Sequence, residues 1–445
     1  MKDKEFRIDS AEDLTDEKLI ELISRHKALN VRYEELVNLY IGNHAILNQA
    51  EKAAYKPDNR LVVNYAKYIT DTFNGFFMGI PVKTTSDDEK VGNYIQMLES
   101  YNDLDDSNAE LSKKCSIYGH AYELLFLDEN AQVGIVNVDP RECFVIYDNA
   151  IRENALFGVR YTVDSEGDTI GTISDLERIR YFYIENGEIR YIDEKEQVNY
   201  FGEIPIVEYV ENDEKQGAFE NVETLINAYN KAISEKANDV DYFADAYMKI
   251  LGAELHGDDL LSIRDNRIIN LVNPETDRLV VDFMEKPNAD ATQENLINRL
   301  ERQIFTISMV ANINDENFGT SSGIALKYKL QSMMNLANTK ERKFVKGFNK
   351  RFRLISNLPN SAITLEDTIG LQYQFTKNTP DNLKEEAETA LLLRSIVSDE
   401  TALRTLSVVD DVNKELGRIE EQNKLNDYAR EDYDFDNFDY GSDTH

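Results

Sequence analysis

Residues Asn317–Leu330 read NFGTSSGIALKYKL, a glycine- and serine-rich stretch running straight into an apolar pattern that carries lysines. A glycine turn that opens a helix can cradle a phosphate, so the spacing decides how the chain around it is organised. A P-loop needs G-x-x-x-x-G-K-[ST], with backbone N–H groups wrapping the phosphates and the lysine reaching the terminal ones. Here Gly319 and Gly323 are four apart, Ile324 stands where the lysine would follow, and Lys327 comes a turn later. No G-x-G-x-x-G is present and no strand leads in, so the stretch is not a nucleotide site. It is a helix start: Thr320, Ser321 and Ser322 can cap free N–H groups ahead of IALKYKLQSMM. The loop before it is there to move or to reach.

Working forward, charge reverses sign. Between Gly323 and Asn360 nine basic residues face a single acid, Glu341, in a chain whose net charge is −34. At about 100° per residue, Phe344, Phe348, Phe352 and Ile355 share one arc, while Arg342, Lys343, Lys346, Lys350 and Arg353 share the opposite one. The spacing predicts a long helix over 323–360 with an aromatic face packed inward. Its basic face is either solvated or paired to acids of the same chain or a neighbouring copy, or it touches nucleic-acid phosphate. Both readings require a negative partner.

Working backward, ATQENLINRLERQIFTIS predicts a helix that ends just before the loop. Ahead of it, residues 251–290 read as a small strand-and-turn module. Ahead of that, FENVETLINAYNKAISEKANDVDYFADAYMKI (219–250) predicts one helix of about eight turns without glycine or proline. The N-terminal part is helical, with Leu19, Ile20, Ile23, Leu29, Val31, Leu36 and Leu39 at three- and four-residue steps, and NYAKYITDTFNGFFMGIP is a second amphipathic segment. From Ala121 to about Tyr209 the pattern alternates, and Asn186-Gly187 is the strongest hairpin signal. GLQYQFT (370–376) predicts a lone strand joining that sheet from downstream. Residues 383–424 are helical again, and YAREDYDFDNFDYGSDTH predicts an acidic, disordered or partner-bound tail over 425–445.

Composition narrows the function. An acidic chain of pI about 4.5 repels nucleic acid on average. Cys115 and Cys143 offer no disulfide framework and suit a reducing compartment. No run of eighteen apolar residues exists to span a membrane, and MKDKEFRIDSAEDL lacks a secretory apolar segment, so assembly inside a cell is expected. The five histidines are scattered, without H-E-x-x-H or Cys-x-x-Cys, and HGDD (256–259) reads as a turn. Asp432, Asp434 and Asp436 imitate a calcium loop, but Asn437 and Asp443 occupy the positions that need glycine and glutamate. No catalytic centre, cofactor or metal site is expected.

Taken in order, several segments are similar to the portal proteins of bacteriophages with long non-contractile tails. They are YIGNHAIL, then FGEIPIVEYVENDEKQGAFENVETLINAYNKAISEKANDVDYFADAYMKILG, then NDENFGTSSGIALKYKL with KERKFVKGFNKRFRLI. The resemblance extends over roughly residues 14–416 and rests on segment order rather than on catalytic motifs.

The resemblance implies an α+β portal-type fold: a β-rich wing with N-terminal helices (1–218), stem helices over 219–250 and 291–309, and a clip (251–290). It further implies a tunnel loop (310–322), the basic helix (323–360), a wing return strand (361–382) and a helical crown (383–424). It implies a ring, usually of twelve copies, at one vertex of the phage head, assembled in the host cytoplasm and threaded by double-stranded DNA. The implied partners are the packaging motor (terminase large subunit), the head–tail adaptor, and capsid and scaffolding proteins, with no membrane. Asn312, Asn314, Asn317, Gly319 and Ser321 would then face the DNA from the loop. Glu235, Asp239, Asp241 and Asp245 are candidate channel-lining acids, and Lys343, Lys346, Lys350 and Arg353 the candidate basic face. Such acids would repel phosphate and let duplex slide. The competing readings are a nucleic-acid-processing enzyme and another head or tail structural protein.

Overall fold

The first described element is a strand, β1 (Phe6–Arg7), and the first long helix is α1 (Asp16–Ile41). The Thr15 hydroxyl accepts from Lys18 N at its start, and Gly42 closes it in the left-handed region at φ +93°, where a side chain would be strained. Leu19, Leu22, Ile23, His26, Tyr33, Leu36 and Leu39 are its buried face, whereas Val31 is 64% exposed despite its place in the apolar pattern. Helices α2 (Tyr65–Met78), α3 (Glu89–Tyr101) and α4 (Leu104–Tyr118) follow, with the short strand β2 (Lys83–Thr85) between the first two. The computed structural model describes residues 6–53, 56–165, 167–244, 248–251, 268–271, 280–283, 290–313, 323–378, 383–406, 408–409 and 412–435.

Residues 120–210 supply strands β3 (His120–Leu127), β4 (Val133–Val138), β5 (Cys143–Tyr147), β6 (Ala155–Val163), β7 (Thr169–Ser174), β8 (Arg178–Glu185), β9 (Glu188–Tyr191), β10 (Gln197–Val198) and β11 (Ile206–Val210). They divide into two sheets. A seven-stranded sheet runs β1-β5-β6-β7-β8-β10, with β9 paired to β8, and a three-stranded sheet runs β11-β3-β4. The hairpin predicted at Asn186-Gly187 joins β8 to β9, with both residues at positive φ (52° and 81°), as a two-residue turn requires.

Downstream, α5 (Glu223–Ala244) leads into strands β12 (Met248–Leu251), β13 (Ile268–Leu271) and β14 (Val280–Phe283), and α6 (Asp290–Ser308) returns. The single helix expected over 219–250 is therefore shorter. It opens with a 3-10 turn at Glu220–Val222, and Met248–Leu251 is the central strand of a small sheet, parallel to β13 and antiparallel to β14. Long-range strand pairing overrode a helical pattern that continues unbroken in the sequence.

Helix α7 (Gly323–Ser356) spans 34 residues, and α8 (Leu365–Ile369) and β15 (Gln372–Gln374) complete the first of two compact units, Met1–Asn378. Strand β15 does not join the large sheet as expected; it pairs with β2 in register Tyr373↔Thr84. The reason is aromatic. Tyr373 and Phe375 lie against Phe348 (5.4 and 5.9 Å between centroids), and Phe375 stacks on Phe77, so the return strand is drawn to α2 and α7. Phe73, Phe77, Phe344, Phe348, Phe352 and Tyr209 form the centre of the main core, all nearly sealed from solvent. Burial of each such ring contributes about 1.5–3 kcal/mol.

The second unit, Thr379–His445, holds helices α9 (Leu383–Leu393), α10 (Asp399–Leu403) and α11 (Val412–Phe435). Residues 425–435, expected as part of a disordered tail, are thus the last turns of a helix.

Candidate functional site

Helices α5 and α6 form an antiparallel pair tipped by the small sheet. Lys236 pairs with Glu294, Gln293 Nε2 donates to Asp239 Oδ2 at 2.7 Å, and near the other end Tyr65 of α2 packs edge-on against both Tyr229 (5.0 Å) and Phe305 (5.4 Å). Three of the four candidate acids, Glu235, Asp239 and Asp241, lie on α5 with partners of their own. Lys52 Nζ sits 2.9 Å from Glu235 Oε1, Asn59 Nδ2 donates to Asp241 Oδ2 at 2.5 Å, and Asp239 takes the Gln293 bond; Asp245 lies outside the described residues. Glu235 keeps half its side chain in solvent, so its ion pair is worth under about 1 kcal/mol and leaves its charge available to neighbours.

The same helix carries a buried polar line. Asn230, Ser234 and Asn238, four residues apart, accept from the backbone N–H of Val63 (2.8 Å), Leu61 (2.9 Å) and Asn59 (2.6 Å). Four helical residues rise about 6 Å and two extended residues about 6.6–6.8 Å, so this match holds only if 59–63 runs nearly extended and antiparallel to α5.

Helix α6 ends at a left-handed residue, Met309 (φ 59°), followed by buried Val310. The Tyr68 hydroxyl on α2 accepts from Ile313 N at 2.9 Å, and its ring lies edge-on to Phe305 at 5.6 Å. Of the loop candidates, Asn312 is half-buried at this root; Asn314, Asn317, Gly319 and Ser321 lie outside the described residues.

Helix α7 carries its cations in two sets. On the basic face, Lys343 pairs with Asp213, Arg353 meets Glu203 through two 2.8 Å bonds, Lys350 Nζ donates to Ile206 O at 2.8 Å, and Lys346 is exposed. Burial, against the pull of Glu203, lowers Lys350 to about 8. The chain's own acids and carbonyls thus occupy three of these four cations.

Sequence reasoning missed a second set. Lys340 and Arg351, eleven residues or about three turns apart, lie on the aromatic arc itself. Lys340, 1% exposed, reaches Glu211 at 2.7 Å, Ser116 Oγ at 2.8 Å and Ser112 O at 3.0 Å, using all three donors. The rings of Phe73, Phe77 and Phe344 surround it at 5.2–5.6 Å. Arg351 forks onto Glu123 (2.9 and 3.0 Å from Nε), donates to Asn108 at 2.7 Å and lies over Phe348 at 4.6 Å. Burial opposes the Arg351 charge, but Glu123 more than compensates and holds its pKa above the usual value. A third buried cluster joins His120 to Tyr33 (2.7 Å) and Glu208 (2.8 Å), with Lys215 on the same carboxylate. Burial would raise the Glu208 pKa, yet Lys215 and His120 hold it well below the carboxylate range. The signal for the first two was present: two cations in phase with Phe344 and Phe348.

Both cysteines are buried with their thiols pushed up by burial, and among the described residues no cluster of three or more His, Cys, Asp or Glu could hold a metal ion. Among them, too, no helix is long and apolar enough to cross a membrane.

The helix pair with its small sheet, the segment rooted on α2 and the long basic helix follow one another along the chain. A family model described as "Phage portal protein, SPP1 Gp6-like" matches residues 20–427. The chain belongs to that family. It is 22% identical to a portal protein of Clostridium phage phiCD119, an alignment covering 95% of this chain and 99% of the relative. It is 23% identical to the portal protein of Bacillus phage SPP1 over 84% of this chain and 78% of that one.

Proposed function

We propose that this chain is the subunit of a phage portal: a ring at one vertex of the head through which double-stranded DNA is packaged and ejected. In this reading α5 and α6 are the stem, β12–β14 lie in the clip that meets the terminase motor and later the head–tail adaptor, and 314–322 is the loop turned toward the DNA. The large sheet belongs to the wing, and α9–α11 to the crown inside the head. The observation that carries it is the antiparallel α5–α6 excursion, rooted at one end on α2 and followed directly by 314–322, in a chain of this family.

The electrostatics support a conduit over a gripper. A ring of identical subunits closes through a heterologous contact, one face of each copy against a different face of the next. The basic face of α7, the natural place to hold phosphate, is largely taken by intramolecular partners, while the chain as a whole is strongly acidic. A wall that neutralises few phosphates displaces few counterions and lets duplex slide. The chain performs no chemistry of its own; the motor supplies the work.

Electron microscopy of the purified chain should show rings of about twelve copies, a number expected from the family. Deleting 314–320 should leave rings intact and abolish DNA packaging in complemented phage. A chain that stays monomeric in assembly-competent salt, or normal packaging by the deletion variant, would overturn the reading, as would nuclease or ATPase activity of the isolated chain.

A further inference from the structure

Between α1 and α2 the chain leaves its own layer and lies along α5. Three buried side chains on α5, Asn230, Ser234 and Asn238 (1%, 2% and 7% exposed), are spent on backbone amides of this passing segment rather than on their own helix ends. Ser234 Oγ also donates to Leu61 O at 3.4 Å, and His44, itself buried, lies 3.1 Å from Asn230 Nδ2. Two flanking contacts, Lys52–Glu235 and Asn59–Asp241, close the row at either side. The segment then enters α2 through the Asn64 cap, and within the first turn Tyr65 wedges between Tyr229 and Phe305 while Tyr68 binds Ile313. One continuous run of ten residues therefore touches α5, α6 and the point where the chain leaves α6.

We propose that residues 59–68 form a clasp that fixes the two helices of the pair to each other and, through the Tyr68 hydroxyl, sets where the chain departs from α6. Its amide row gives α5 a register, because only every second backbone N–H of the clasp faces a helical acceptor. Its tyrosines give the pair a spacing. Tyr68 is thus a positioning residue: it touches nothing that moves through the ring, and acts by holding Ile313, one residue ahead of 314–322. The packaging consequence rests on the reading of 314–322 as the DNA-facing segment; the clasp itself does not.

The test uses the full-length chain assembled into rings. Tyr68→Phe keeps the ring contacts and removes one hydroxyl; Ser234→Ala removes one acceptor from the middle of the row. Hydrogen–deuterium exchange of the Ile313 amide should accelerate about fivefold in Tyr68→Phe, with Leu61 unchanged, and the reverse should hold in Ser234→Ala, because in each variant the amide that is read loses its one side-chain acceptor. Tyr68→Phe should also lower packaged DNA while ring yield stays normal. Unchanged exchange at Ile313 in Tyr68→Phe overturns the clasp. Faster exchange with undiminished packaging overturns its positioning role. Normal packaging by the 314–320 deletion would instead remove the DNA-facing reading, and with it the packaging half of this proposal, while the exchange result stood by itself.

Discussion

Arg351 decides more than its position in the sequence suggests. Its guanidinium is 3% exposed and Glu123 1%, so truncating the arginine alone strands a carboxylate in the core. Arg351→Leu should cost about 3–5 kcal/mol, whereas Arg351→Leu with Glu123→Leu should recover most of that, because the desolvation of both ions is relieved together. Urea unfolding of the two variants checks it; equal losses would mean that the pair itself, rather than the stranded charge, carries the energy. His26 gives the pH dependence. Burial, only partly offset by Pro140 O, lowers its pKa from 6.5 to about 4. Between those values the unfolded chain binds a proton that the native chain refuses, so stability falls as pH drops through 6.5 toward 4, by up to about 3 kcal/mol. Replacing it by glutamine, which can still bridge Tyr161 and Pro140, should flatten this limb of the urea-midpoint profile between pH 7 and 4.5. Neither residue was singled out by the sequence. Cysteine burial and the aromatic arc follow from type and spacing, but a cation among phenylalanines is legible only to a reader who asks what buries opposite it, and Glu123 is 228 residues away.

At the scale of elements, α7 shows how close contact and propensity compete. Gly347 sits in the middle of the helix, where alanine would ordinarily help by about 1 kcal/mol. A Cβ there would meet the Tyr209 ring at 2.2 Å, an overlap that must displace a fully buried side chain. Overpacking of this kind costs about 1–3 kcal/mol, so Gly347→Ala should destabilise on balance, read as a lower thermal midpoint. Period and turn chemistry made α1, α2, α6, α7 and the Asn186-Gly187 hairpin legible. Three things were not, each for a long-range reason. Met248–Leu251 continues a helical pattern but pairs on both sides with strands 17 or more positions downstream. Strand β15 follows its aromatics to α2 instead of the nearest sheet. The row Asn230, Ser234, Asn238 looks like an ordinary polar stripe until the segment that covers it is seen.

For the whole molecule, order of elements carried what no single motif could. The spacing in the glycine-rich stretch at 317–330 does not match a P-loop, and the helix–sheet–helix excursion ahead of it was readable although its inner boundaries were not. The loop residues proposed to face DNA lie mostly outside the described residues, so the candidate site is known by its root at Tyr68 and Ile313 rather than by its tip.

The two-residue strand at the chain's beginning has its own bearing on handling this protein. Phe6 and Arg7 run parallel to Ile146 and Tyr147, and Ile8 N bonds Tyr147 O at 3.1 Å, so the amino-terminal residues cap the rim of the seven-stranded sheet. Trimming residues 1–8 would bare the apolar row Cys143–Tyr147 as an open template for strand addition. Preparations shortened in this way should scatter light and precipitate before any annulus forms.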